Sequence, residues 1–149
     1  MITTYEIKGL LEQLVGLPCR RTLFTEMGTL VLFIGDIVRV DPIRTVWRLH
    51  IDCTWRIAAD GKLLAGSFDS PALANSTARL LNTLTISKVA FDFGLGDLCI
   101  ELGEKYKLLI CTYSLQDEHW ELRKSDGFRM NFGPQAQWLI RNEKPDTIE

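Results

Sequence analysis

The sequence predicts a mainly β protein of the α+β class, built as one domain, 1–149, from antiparallel strands around one core. Short apolar stretches alternate with turns rich in Gly, Asp and Pro through most of the chain, a pattern typical of antiparallel sheets. Only two segments have helical spacing, and each precedes a set of predicted strands. A chain of 149 residues with 46% hydrophobic residues is long enough to bury a core.

The two predicted helices differ in how clearly their ends are marked. Apolar residues recur at a mostly helical spacing over 5–15, and Gly16 with Pro18 ends that segment. Ser70 and Pro71 give a stronger start signal, since serine caps a first helical turn and proline fits its first position. We expect a short helix before each half of the strands.

The clearest strand signal is the alternation from Trp47 to Ile57, where every odd position is apolar and every even position is polar or charged. Period-two alternation indicates a strand with one buried face. The stretch compared with it in the second half contains Ser125-Asp126-Gly127, a hairpin-turn sequence, so a bend near 52–54 is the alternative. Further strands are predicted at 19–26, 29–34, 37–40, 62–65, 86–93, 97–102, 105–114, 128–132 and 136–141, with a frayed tail over 142–149.

The two halves of the chain, about 5–65 and 71–141, resemble each other. Leucine and glycine positions recur at separations of 68 to 70 residues, and WRLHIDCTWRI matches WELRKSDGFRM 73 residues later. An internal duplication would give two similar units facing each other about a pseudo-twofold axis; chance similarity between β-rich halves is the alternative. The 73-residue match pairs Trp47 with Trp120, Trp55 with Phe128 and Arg56 with Arg129.

Charge and cysteine usage limit the classes of function. The balance of 17 basic and 19 acidic residues leaves −2 at pH 7, which argues against a nucleic-acid partner held by phosphate contacts. No signal peptide is recognisable, and the apolar runs are too short to span a membrane. No CxxC pair suggests a zinc site, so we expect no metal or cofactor and reduced thiols in the cytoplasm, at Cys19, Cys53, Cys99 and Cys111.

Catalytic signals are weak. His50 and Asp52 share a predicted strand face, where the carboxylate could orient the imidazole, but no nucleophile motif accompanies them. His119 stands in a polar stretch without a metal-ligand spacing. The sequence therefore predicts a protein that is not an enzyme.

Three groups of residues are candidates for binding. Asp117, Glu118 and Glu121 form an acidic cluster that could steer a basic partner, or simply be a solvated loop. Arg56 and Arg129 could bind an anion or a partner's carboxylate near the pseudo-twofold axis, or form strand-face salt bridges. The aromatic residues could line a pocket between the halves or pack in the core; they are Trp47, Trp55, Trp120, Trp138, Phe91, Phe93, Phe128 and Phe132.

A loose family resemblance follows from the order of these motifs. In each half, Leu-x-x-Leu precedes a Gly-x-Leu-x-[Leu/Ile] strand, and Trp-x-Leu follows, at 47–49 and 120–122. The pattern resembles a group of small bacterial β-rich domains, some of which are discussed as immunity proteins of toxin systems. The resemblance implies stoichiometric binding of a protein partner, with a homodimer left open, and it assigns no functional residue. The second hypothesis is a small-molecule-binding domain with an aromatic pocket edged by Arg56 or Arg129.

Overall fold

The computed structural model describes residues 2–112, 119–133, 135 and 137–144. It confirms the predicted class, with 53% of residues in strands and 16% in helices. The elements are α1 (Thr4–Glu12), β1 (Cys19–Phe24), β2 (Leu30–Arg39), β3 (Arg44–Ile51), β4 (Thr54–Ala59), β5 (Lys62–Gly66), α2 (Pro71–Ala78) with a 3-10 turn (Arg79–Leu81), β6 (Ile86–Phe91), β7 (Leu98–Leu102), β8 (Tyr106–Cys111), β9 (Trp120–Lys124), β10 (Phe128–Gly133) and β11 (Gln137–Asn142).

The strands form two antiparallel sheets, and each half of the chain contributes to both. The first sheet has the order β1-β2-β3-β9-β10-β11, and the second has the order β5-β4-β8-β7-β6. The first three strands of each half therefore lie in one sheet, and the strands that follow them lie in the other sheet. The crossing creates two seams, β3 against β9 and β4 against β8. One continuous cluster of buried residues contains side chains from both sheets and both helices.

Both helices begin at side-chain caps, of which the sequence analysis predicted only the one at Ser70. The Thr3 hydroxyl accepts a hydrogen bond from the backbone N–H of Glu6, and the Glu6 side chain bonds back to Thr3, which makes a capping box. Ser70 caps α2 at Leu73, and Pro71 occupies its first turn. Buried faces of the helices pack against the core at Ile7, Leu11, Ala74 and Ala78.

The alternation over 47–57 belongs to two strands. The chain bends at Asp52 and Cys53. The alternative of a bend near 52–54 is therefore confirmed, and the prediction of one continuous strand over 47–57 is wrong. Trp47 and Ile51 point inward from the first sheet, and Trp55 points inward from the second. The pattern continues through the bend because both sheets present their inner faces to the same core.

The order of strands does not support the 73-residue match. In each half, the strand that crosses between sheets is the fourth one, β4 in the first half and β9 in the second, whereas the match compares β3 with β9. The fourth strands of the two halves are β4 and β9, which contain the fully buried Trp55 and Trp120. An Asp-Gly turn follows each of these two strands. The duplication itself stays a prediction.

Aromatic side chains join the two sheets where the β6–β7 turn meets β9, β10 and β11. Trp120 Nε1 donates to the Gly96 carbonyl oxygen at 2.8 Å, and Trp138 Nε1 donates to the Phe93 carbonyl oxygen at 2.6 Å. The Trp138 ring also contacts the Phe132 ring edge-on, with centroids 5.1 Å apart. Since Trp55, Trp120 and Phe132 are among the largest fully buried side chains, these aromatic residues form core.

The cysteines of the chain form no disulfide. All four cysteines are free, and burial raises the pKa of Cys19 and Cys53 to about 12, so these two thiols stay protonated near neutral pH.

Within the described part of the chain, no helix has the length and apolar character that a bilayer span requires.

The contact between the sheets can be tested at Gly96. Gly96 and Gly28 occupy matching turns with positive φ, 76° and 85°, so alanine strains the backbone similarly at both. A Cβ at Gly96 would also overlap the Phe132 ring, whereas nothing lies within 4 Å of one at Gly28. We expect Gly28→Ala to lower the unfolding free energy by about 1 kcal/mol and Gly96→Ala by about 3 kcal/mol, measured by urea denaturation. Equal losses would contradict this packing.

Candidate functional site

Four arginines lie side by side across the outer face of the first sheet. The strand register places Arg48 of β3 opposite Arg123 of β9, Arg123 opposite Arg129 of β10, and Arg129 opposite Arg141 of β11. Neighbouring strands are about 4.8 Å apart, so the four Cα atoms span about 14 Å. We call Arg48, Arg123, Arg129 and Arg141 the arginine row.

The alternation of each strand directs the row outward. Leu49, Leu122 and Met130 lie next to row residues in sequence and are fully buried in the core. Successive side chains of a strand point to opposite faces, so the arginines lie on the face turned away from the core. The strand orientation that buries Leu49, Leu122 and Met130 therefore also places the arginines of the row on the outer face of the sheet.

Glu121 is the counter-charge of the row. Its Oε1 accepts from Arg123 Nε at 2.7 Å and from Arg129 Nη1 at 3.3 Å, and its Oε2 lies 3.4 Å from Arg141 Nη2. The residue is only 7% exposed. One buried carboxylate therefore holds three guanidinium groups in place through charge-assisted contacts.

The second carboxylate of this face lies at its outer edge. Glu143 is 3.2 Å from Nε of Arg129 and 3.2 Å from Nε of Arg141. The charge of Arg44 also acts on Arg48. Arg48 and Arg129 each have a further interaction within the chain.

The positive charges act on one another. Burial and the nearby charges of Arg44, Arg123 and Arg129 lower the pKa of Arg48 to about 10, so this guanidinium still carries its charge at neutral pH. Like charges directly opposite on neighbouring strands destabilise a sheet. The row therefore exists at an electrostatic cost, which the carboxylates of Glu121 and Glu143 offset.

His50 and Asn131 flank Glu121 on the neighbouring strands. Burial and the arginine charges, Arg123 first among them, lower the pKa of His50 to about 4, so its imidazole is neutral at pH 7. Within the described contacts, the buried atoms His50 Nε2 and Asn131 Oδ1 have no hydrogen-bond partner.

The predicted pairing of His50 with Asp52 is wrong. β3 ends at Ile51, so Asp52 leaves the strand, and its Oδ1 accepts from the Thr29 hydroxyl at 2.6 Å instead. The carboxylate next to His50 across the strands is Glu121, which the arginines already hold. In the described part of the chain, no group of three His, Cys, Asp or Glu residues could hold a metal ion.

The predicted binding residues separate in the structure. Asp117 and Glu118 lie outside the described residues. Glu121 was expected in an exposed acidic rim, and that expectation is wrong because the carboxylate is buried among arginines. Arg56 and Arg129 do not form a pair: Arg129 belongs to the row, whereas Arg56 is exposed on the outer face of the second sheet.

Three cavities lined by described residues lie away from the row. They have volumes of about 260, 210 and 150 Å³. The largest is an open depression on the second sheet beside Phe91, Cys99 and Cys111. None of the three is lined by Arg56, Arg129 or a tryptophan, so they give no support to an aromatic pocket between the halves.

The role of Glu121 can be tested against a matched acid on the other sheet. We expect Glu121→Gln to lower the unfolding free energy by about 2 kcal/mol, because three partly buried arginines lose their shared counter-charge. Glu101 also has two cationic partners, Lys88 at 4.0 Å and Lys107 at 3.8 Å, but these lysine side chains are more than half exposed. Glu101→Gln is therefore expected to cost less than about 0.5 kcal/mol in the same urea titration. Equal costs would show that Glu121 does not organise the row.

The chain was compared with protein-family models, with curated proteins and with solved structures, and none of them matches it.

Proposed function

We propose that this chain is a non-enzymatic interaction protein that binds an acidic partner stoichiometrically through the arginine row. The observation that carries the proposal is the line of four arginines on adjacent strands, three of which pair with Glu121. Arginine binds carboxylates through two parallel hydrogen bonds, so such a line suits a surface that carries several acidic groups.

The electrostatic cost of the row supports a binding role. A face needed only for stability would place neutral or opposite charges on neighbouring strands, since directly opposed like charges lower the stability of a sheet. This face has three such arginine pairs in succession. An incoming acidic surface would relieve that repulsion, so binding and stability would be coupled.

The row changes the expected charge of the partner. The sequence suggested an acidic rim for a basic partner, but its described member, Glu121, is buried. The proposed partner is acidic. If the resemblance to immunity proteins extends to function, the toxin would supply that acidic surface.

A protein partner suits the composition of the face better than a nucleic acid. Leu139, next to the row on β11, is 47% exposed, and the chain as a whole carries −2. Arginine combined with apolar side chains is typical of protein interfaces, whereas phosphate-binding surfaces are strongly basic.

The proposal can be tested with poly-L-glutamate as an acidic probe. We expect the wild-type protein to bind it at low salt and to release it as salt rises. The double variant Arg123→Gln/Arg141→Gln should bind about tenfold more weakly, because two guanidinium contacts are lost. Fluorescence anisotropy with a labelled polymer gives the dissociation constants.

The control variant is Arg56→Gln, an exposed arginine on the other sheet. It should keep wild-type affinity, and circular dichroism should show that every variant is folded. If Arg56→Gln weakens binding as much as the double variant, or if affinity does not respond to salt, the row is not the binding surface.

A further inference from the structure

We infer that the free edge of β11 pairs with an extended segment of the acidic partner, which adds one strand to the six-stranded first sheet and places a carboxylate opposite Arg141. This inference rests on the proposed function and specifies the shape of the partner at this edge. It follows from the backbone groups that β11 leaves unpaired and from the charge beside them.

The register of the ladder shows which backbone groups of β11 are directed away from β10. The Glu143 N–H donates to the Gly127 carbonyl oxygen at 2.8 Å, so the odd-numbered residues of β11 form the hydrogen-bonded pairs with β10. The N–H and C=O groups of Trp138, Ile140 and Asn142 therefore point out of the sheet edge. Among the described residues, none has a hydrogen bond to these groups on that side.

The opposite edge of the same sheet, β1, is closed by the chain itself. The Thr22 N–H donates to Asn82 Oδ1 at 2.8 Å. The Cys19 N–H donates to the Leu84 carbonyl oxygen at 2.8 Å, and the Cys19 carbonyl oxygen accepts from the Thr83 N–H at 2.7 Å. An edge strand with unpaired backbone groups is a template for a further strand, and within the first sheet β11 is the edge that keeps this capacity.

The side chains of β11 favour an acidic occupant. Arg141 lies on the outer face at a position that would form a non-hydrogen-bonded pair with the new strand, where Cα atoms are about 4.5 Å apart and side chains lie closest. Its side chain is 36% exposed, and Nη1 has no described contact, so Arg141 can bind a carboxylate there while Nη2 stays at Glu121. Leu139 and Ile140 are exposed on the two faces of β11 and offer apolar contacts to the same strand.

A second copy of the chain fits this edge less well. A twofold pairing of β11 with itself would bring two arginine rows together in one continuous sheet. Each row already contains three directly opposed arginine pairs, and like charges on neighbouring strands destabilise a sheet. A strand with an acidic residue opposite Arg141 adds a pair of opposite charges at the same place.

Two acidic peptides that differ only in backbone methylation test the inference with the full-length protein. Both alternate glutamate with valine, so that valine covers the inner face and glutamate lies on the outer face beside Arg141. N-methylation of the valines removes the donors directed at β11, whereas N-methylation of the glutamates removes donors directed away from it. A shift by one residue cannot rescue the first peptide, because it would turn the glutamates inward. We expect the glutamate-methylated peptide to bind at least about tenfold more tightly by fluorescence anisotropy.

Proline variants connect this preference to β11. Ile140→Pro removes an N–H that points out of the edge and leaves the ladder with β10 intact, since proline is tolerated on an edge strand where its nitrogen faces solvent. We expect Ile140→Pro to bind the glutamate-methylated peptide at least about tenfold more weakly than Ile140→Ala, which loses the same side chain but keeps the N–H. If Ile140→Pro folds poorly by circular dichroism, Asn142→Pro against Asn142→Ala makes the same comparison at an exposed residue.

A charge variant tests the acidic part of the inference. Arg141→Gln should weaken binding of the glutamate-methylated peptide about threefold, because the opposite carboxylate loses its guanidinium partner. Arg56→Gln, on the other sheet, should keep the wild-type affinity.

The failures of the two proposals are distinguishable. If both peptides bind equally and Ile140→Pro binds like Ile140→Ala, the strand inference is wrong; poly-L-glutamate binding that depends on Arg123 and Arg141 then still supports the proposed function. If Ile140→Pro weakens binding and Arg141→Gln does not, the edge accepts a strand of another chemistry and the inference is wrong. A dimer of the protein in analytical ultracentrifugation that Ile140→Pro dissociates would make a second copy the occupant and overturn the acidic strand.

Discussion

The exchange of strands between the two sheets is the constraint on which the rest of the structure depends. Because β9 crosses into the first sheet, it lies next to β3, and Arg123 from the second half of the chain stands beside Arg48 from the first. The arginine row therefore contains residues of both halves, and neither half could form it alone. The contact of Gly96 with Trp120 and Phe132 fixes the same crossing from the other sheet.

Glu121 makes this arrangement compatible with folding. Four guanidinium groups on adjacent strands repel one another, and a single buried carboxylate near the seam compensates part of that charge. The directly opposed arginines are the basis of the proposed function, because an acidic partner would relieve their mutual repulsion. The low pKa of His50, about 4, reports the same positive surroundings together with burial.

Local patterns predicted most elements and predicted long-range neighbours poorly. The strand β9 was absent from the predicted strands, and the predicted strands 29–34 and 37–40 are one strand, β2. Ser70 and Pro71 marked the start of α2. Every odd position of the alternation over 47–57 is buried as predicted, although Arg48 at an even position is buried too. The order of strands does not support the 73-residue match. A shift by a whole strand leaves the inward and outward positions unchanged, so β3 and β9 agree in pattern although they differ in position within their halves. The exposure of Glu121 was predicted wrongly for a related reason. Its position in the alternation of β9 indicates an outer face, but only the register of the neighbouring strands shows that arginines surround it.

The most direct measurement is a backbone amide shift map of the isotope-labelled protein during titration with a short poly-L-glutamate. The account predicts that the largest changes fall on β3, β9, β10 and β11 near the arginine row, and that the outer face of the second sheet around Arg56 stays unchanged. Changes centred on the second sheet, or no saturable change at low salt, would contradict it.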